Sequence, residues 1–158
     1  MKFNFYALRA IYLHEMDRFR RTLLQSLLSP VLSTSLYFIV FGSVIGDYVE
    51  SIDGLSYGSY IVPGLLMLTL LTQSISNTSF GIFFPKFNGT IYEILAAPIS
   101  TFEVVLAFVG AGATKTLIVG VVIFITSLFF VDVTVKYPLL MIFLLVLVAF
   151  TFALFGFL

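Results

Sequence analysis

The sequence predicts an all-α protein that crosses a membrane several times, a polytopic transmembrane helical bundle, and three observations carry that prediction. The 158 residues are 60% hydrophobic and 10% charged, and the mean hydropathy is +1.13. Soluble domains carry roughly a quarter charged residues, so a water-exposed surface cannot be built from this composition. Charges are also absent from long runs: from Arg21 to Asp47, from Asp53 to Lys86 and after Lys136, with Lys115 alone between Glu103 and Asp132. Each run holds the roughly 20 apolar residues that a helix needs to cross the hydrocarbon of a bilayer.

The first element, residues 1–23, is charged yet patterned. Phe5, Leu8, Tyr12, Met16, Phe19 and Leu23 recur at steps of three or four, while Arg9, Asp17, Arg18, Arg20 and Arg21 fall mostly elsewhere around the helix. That is the pattern of an amphipathic helix lying in the membrane interface, its basic side toward lipid headgroups and water. Charges occupy the place of an apolar signal-peptide region, so a cleaved leader is not expected here. The first span follows over 24–46, with Pro30 near its entry as an expected kink and Gly42 and Gly46 as a small-residue pair for close helix approach.

A short acidic turn with Asp47, Glu50 and Asp53 and the interfacial tyrosines Tyr48, Tyr57 and Tyr60 leads to a second span over 60–84. A third runs over 104–131 and a fourth over 138–158, joined by a tight turn through Asp132 to Tyr137. Five basic residues precede the first span (Lys2, Arg9, Arg18, Arg20, Arg21) and none lies in the loop after it, so the N-terminus is expected on the cytoplasmic side. Residues 86–100 then face the cytoplasm as well.

Polar residues inside the spans are the candidates for function. Thr69, Thr72, Gln73, Ser76 and Ser79 share one face of the second span. Such side chains need partners in lipid, so this face is expected to look toward other helices or to line a translocation path. Lys115 is the one charge within a span. Counting back from Asp132 puts it about 25 Å from the outer end of its helix. Two explanations stay open: the side chain snorkels to the headgroups, or it pairs with Glu93 or Glu103. These two glutamates otherwise read as solvated residues flanking a cytoplasmic segment.

Much chemistry is excluded by what is missing. The chain has no Cys and only His14, which leaves no disulfide, thiol or metal-cluster chemistry and no metal site. The phosphate-binding pattern G-x-x-x-x-G-K-[ST] is absent, as is any nucleophile with a base beside it, so no catalytic or cofactor-binding residues are expected and the chain does not read as an enzyme. Zero net charge gives no reason to expect nucleic acid as a partner.

The block YIVPGLLMLTLLTQSISNTSFGIFFPKFNGTIYEILAAPIS, residues 60–100, resembles the core of ABC-2 type transporter permeases. The matching positions are Tyr60, Pro63-Gly64, Ser79-Phe80-Gly81, Lys86, Gly89-Thr90-Ile91, Glu93, Leu95 and Ala97-Pro98-Ile99-Ser100. The flanking SLLSPVLSTSLYFIVFG and FEVVLAFVGAGATKTLIVG are similar as well. The resemblance implies a permease subunit of an ATP-driven exporter in the cell (inner) membrane, an efflux system working as a homodimer or heterodimer of permeases.

It further implies a separate ABC ATP-binding subunit that carries the ATP and Mg²⁺. Residues 86–100 would be a cytoplasmic coupling helix docking into that partner through Thr90, Ile91, Glu93, Ile94 and Leu95, with Gly89 and Pro98 as breakers. Arg18, Arg20 and Arg21 of the interfacial helix would flank the same contact. The family usually has six spans, so four make this chain read as the N-terminal portion of such a permease. The alternatives are a small four-span membrane assembly or scaffold protein without transport activity, and a self-contained channel or secondary transporter, which would want charges paired near the midplane.

Overall fold

A computed structural model describes residues 3–44, 57–131 and 135–158. Gly46, the acidic residues Asp47, Glu50 and Asp53, Tyr48 and Asp132 lie outside the described residues. The described chain is helical: α1 (Phe5–Arg21), α2 (Leu23–Tyr37) continuing into a π-helical segment (Phe38–Val44), α3 (Tyr57–Phe87), the short α4 (Ile91–Ala96), α5 (Thr101–Phe130) and α6 (Pro138–Phe157). Among the described residues, four stretches are long and apolar enough to cross a membrane: Leu23–Phe41, Tyr57–Phe87, Thr101–Phe130 and Pro138–Phe157. The 31 residues of α3 and the 30 of α5 make rods of about 45 Å, longer than the ~30 Å hydrocarbon layer. Unless they are strongly tilted, their ends stand out of it, and these ends carry the 86–100 segment.

Several expectations change. The interruption between the amphipathic helix and the first span falls at Thr22 rather than at Pro30. Thr22 has φ −105° and ψ 14°, and both its backbone N–H and its hydroxyl donate to the carbonyls of Arg18 and Phe19. Pro30 sits inside α2, buried, where a proline removes the hydrogen bond to the carbonyl of residue 26 but here does not end the helix. The π-helical turn after Tyr37 had no foreseen signal. The second and third spans are longer than the hydropathy pattern suggested, because polar residues at their ends continue the helix past the apolar stretch.

The core is arranged around α5, the most buried of the helices, which touches α1, α2, α3 and α6. Without water there is no hydrophobic drive between helices in lipid, so close packing and hydrogen bonds must hold the bundle. The residues of α5 suit that: Ala107, Ala111, Gly112, Ala113, Thr116 and Gly120 are buried and small. Helix α6 lies on α3 in the same way. Its buried face is Ala149, Ala153 and Gly156, and across it the hydroxyls of Ser74 and Ser79 donate to the carbonyls of Ala149 (2.6 Å) and Gly156 (2.7 Å). Much of the rest of α6, including Phe143, Leu147 and Phe155, is exposed apolar surface, as lipid contact requires.

Gly156 is required by this approach. A Cβ there would stand 2.5 Å from the carbonyl oxygen and 2.8 Å from the Cα of Ile75, and backbone cannot step aside as a flexible side chain can. Gly156→Val is therefore expected to force α6 off α3 at a cost of about 1–3 kcal/mol, the usual range for overpacking. Phe155→Leu, at an exposed neighbouring position, should be close to neutral. Heating the detergent-solubilised protein and measuring the fraction that stays monodisperse would separate the two; equal behaviour would contradict the close contact.

Candidate functional site

Polar chemistry collects where α1 crosses α5. Asn4 caps α1, its side chain accepting from the Ala7 N–H at 3.3 Å, and three contacts then run along the helix. The backbone N–H of Asn4 donates to Glu103 at the start of α5. The hydroxyl of Tyr12 donates to Thr114 Oγ1 at 3.1 Å. Glu15 Oε2 lies 2.7 Å from Lys115 Nζ and 3.1 Å from Arg18 Nη2. Glu15 and Lys115 are 1% and 4% exposed, so the pair is closed off from solvent by the protein itself.

Lys115 is thus paired, and neither snorkelling nor Glu93 nor Glu103 accounts for it. Glu103 is 12 positions away on the same helix (115 − 103), about 18 Å along its axis, which no lysine side chain spans. It is not solvated either. It is buried in the α5 capping box, accepting from the Ser100 N–H at 2.9 Å while the Ser100 hydroxyl accepts from the Glu103 N–H at 3.3 Å. The true partner, Glu15, is on the apolar stripe of α1, three residues after Tyr12 and four before Phe19. A carboxylate inside such a stripe is a signal that it has a buried counter-charge, and it was legible in the sequence.

The polar face of α3 is only partly turned toward the other described helices. The buried line of α3 is Val62, Leu66, Leu70, Ser74, Thr78, Gly81 and Pro85. Of the five polar residues expected to look inward, Ser79 does bond across to α6. Thr72 and Ser76 are exposed, and Thr69 and Gln73 are half-buried. The hydroxyls of Thr69 and Thr72 donate to the carbonyls of Leu65 (2.8 Å) and Leu68 (3.0 Å) in their own helix. A threonine that satisfies itself this way needs no neighbouring helix. Asn77 does reach α5, donating to Thr116 Oγ1 at 3.3 Å.

The 86–100 segment has a defined shape. Gly89 has φ +79°, the left-handed region that a side chain disfavours, and it breaks the chain after α3. Helix α4 follows from Ile91 with no buried residue. Ala97 is extended (φ −73°, ψ 151°), as the residue before Pro98 is biased to be, and Ser100 then caps α5. On α4, Tyr92 and Leu95 are 74% and 68% exposed and Glu93 is exposed, whereas Ile91 and Ile94 are half-buried. Tyr92 was not among the residues singled out from sequence.

Between the last turns of α1 and the end of α3 runs a groove of about 680 Å³, with Arg18, Arg21, Phe80, Phe84, Asn88 and Thr90 in its lining. The Arg18 guanidinium sits 5.7 Å from the centre of the Phe84 ring. The fold therefore brings Arg18 and Arg21 beside the entry to 86–100, while Arg20 turns to a neighbouring recess with Asp17. Among the described residues no group of His, Asp and Glu is placed to hold a metal ion.

Comparison with known proteins decides the family. The model of the ABC-2 type transporter family matches residues 6–158. The chain belongs to this family. Relatives described as "Inner membrane transport permease YadH" from Escherichia coli strain K12, Escherichia coli O157:H7 and Shigella flexneri are each 39% identical over 150 residues, 95% of this chain. The match covers 59% of those relatives, so the ABC-2 chain described here spans about three-fifths of their length. No solved structure matches.

Glu15→Gln leaves the buried Lys115 without a carboxylate and is expected to cost about 3–5 kcal/mol, as a broken buried ion pair does. Lys115→Met leaves Glu15 with Arg18 and should cost less. The exposed Glu93→Gln should change stability by less than about 0.5 kcal/mol. Thermal inactivation followed by size-exclusion chromatography in detergent tests this; a tolerant Glu15→Gln would mean the pair adds little.

Proposed function

We propose that this ABC-2 chain is the membrane-embedded part of a permease subunit of an ATP-driven exporter in an inner membrane, and that residues 86–100 are the segment on which a separate ATP-binding subunit acts. The observation that carries this reading is the form of that segment. A short helix bracketed by Gly89 and Pro98 presents Tyr92, Glu93 and Leu95 exposed. Its apolar and charged groups suit a protein surface, and its ends are tied directly into α3 and α5. A rigid helix passes on a push that a floppy loop would absorb.

In this reading the N-terminus and the 86–100 segment are cytoplasmic, in keeping with the basic residues that precede the first span. The partner binds ATP and Mg²⁺, and this chain contributes no catalytic group. Thr90, Ile91, Glu93, Ile94 and Leu95 form or support the contact, with Ile91 and Ile94 holding the helix to the bundle and Glu93 and Leu95 facing the partner. Arg18, Arg20 and Arg21 flank it from α1. Two permeases pair, as a homodimer or heterodimer, and the exposed Thr72 and Ser76 with the half-buried Thr69 and Gln73 supply a hydrated face for the path between them. Closure of the ATP-binding subunits favours one arrangement of the spans, and hydrolysis restores the other.

The test is co-purification of the tagged full-length permease with its cognate ATP-binding subunit. Glu93→Arg with Leu95→Asp alters two exposed positions and should leave the bundle folded. At least a tenfold loss of the co-purified subunit is expected. Undiminished recovery would place the contact elsewhere.

A further inference from the structure

The buried charges of α1 and α5 line up with the 86–100 segment in a way that suggests more than stability. Helix α1 is fastened on both sides of that segment. On the exit side its N-cap, Asn4, is bound by Glu103, the capping-box partner of Ser100 in the first turn of α5. On the entry side, Arg18 lies over Phe84, in the last turn of α3. Between these fastenings Glu15 is held by Arg18 and by Lys115. Lys115 lies 14 residues into α5 (115 − 101), about 20 Å from its start. A contiguous line of contacts therefore runs from the end of α3 through Arg18 and Glu15 to the middle of α5, bypassing the first four turns of α5.

We propose that the Glu15–Lys115 pair, with Arg18 on Phe84, is the link by which displacement of the 86–100 segment is passed to the middle of α5, so that α1 works as a crossbar rather than only as an interfacial anchor. The inference rests on the reading of 86–100 as the ATPase contact. Two features favour transmission over mere support. A charge-assisted hydrogen bond is short and directional, so a shift of α1 along its axis pulls on Lys115, whereas apolar contacts slide. It is also an expensive way to join two helices, since well-packed apolar residues usually stabilise as well or better. Glu15 and Lys115 are positioning residues in this scheme and touch no substrate.

Residues 1–158 contain no Cys, and any cysteine elsewhere in the full-length permease or its ATP-binding subunit is first replaced by serine. A reporter cysteine replaces Leu128, exposed near the far end of α5 and 13 residues beyond Lys115 (128 − 115). The full-length permease with its cognate ATP-binding subunit is placed in nanodiscs, and maleimide labelling is timed with and without ATP and vanadate. The parent is expected to change its labelling rate at least threefold. Glu15→Gln with Lys115→Met removes both charges together, which spares the fold an orphaned ion.

That double variant should retain the ATP-binding subunit and at least half of the parent's thermal half-life, yet show less than a 1.5-fold change in labelling. A change as large as the parent's would overturn the proposal, because the pair would then be support only. If the double variant does not assemble, Glu15→Asp takes its place. It keeps both charges, shortens the link, and is expected to at least halve the response; an unaltered response would again reject the relay. A parent that binds no ATP-binding subunit would refute the coupling reading and the relay with it. A parent that binds the subunit but shows no nucleotide-dependent labelling would refute the relay alone.

Discussion

A lysine on a membrane helix must either reach water or find its counter-charge inside the protein, and this chain's solution organises the contact between its first helix and its core. Lys115 is surrounded on α5, so the carboxylate has to come from elsewhere, and Glu15 comes from α1. With Glu15 fixed, Arg18 is fixed beside it, and the basic end of α1 is set against the end of α3. An amphipathic helix that would otherwise float in the interface is held in one register. Tyr12 on Thr114 and Asn4 on Glu103 keep the same register at two further points.

The bundle behind that contact obeys the constraint that lipid imposes. Burial of apolar surface offers little there, since the tails are as apolar as leucine. Helices therefore meet through small residues, on α5 along the 107–120 stretch and on α6 at Ala149, Ala153 and Gly156. The hydroxyls of Ser74 and Ser79 are spent on carbonyls of α6. Most large side chains of α6 point outward. That division explains how α6, the most apolar span of the four, also exposes most of its aromatic residues.

The two halves of the molecule meet at the 86–100 segment. Long, well-fastened helices enter and leave it, and its own helix has no buried residue. Such a part adds little to the stability of the bundle and is free to be chosen for what it touches. The groove between α1 and the end of α3 makes the neighbouring surface basic and aromatic. The lining of that groove reaches Asn88 and Thr90, at the start of the segment.

Much of this was legible in the residues taken one after another. Charge-free runs gave the spans, because crossing a bilayer is a requirement on local composition alone. Gly89 and Pro98 bounded the short helix because they restrict their own backbone and that of their neighbours. The family was visible in residues 60–100. What periodicity could not decide was which side of a helix is inside. Polar groups drew attention to the Thr69–Thr72–Ser76 side of α3, yet Ser74 and Thr78 are buried there, since a threonine can bond its own backbone and face out.

The partner of Lys115 was likewise beyond local rules, although helix arithmetic excludes Glu103 and the stripe of α1 contains Glu15. A contact between residues 100 positions apart (115 − 15) depends on how α1 lies across α5, and only tertiary structure sets that. Sequence by itself determined what must be in the membrane and where the chain must turn, because those are costs borne by each segment alone. Tertiary structure decided which charges meet, because pairing belongs to two segments at once.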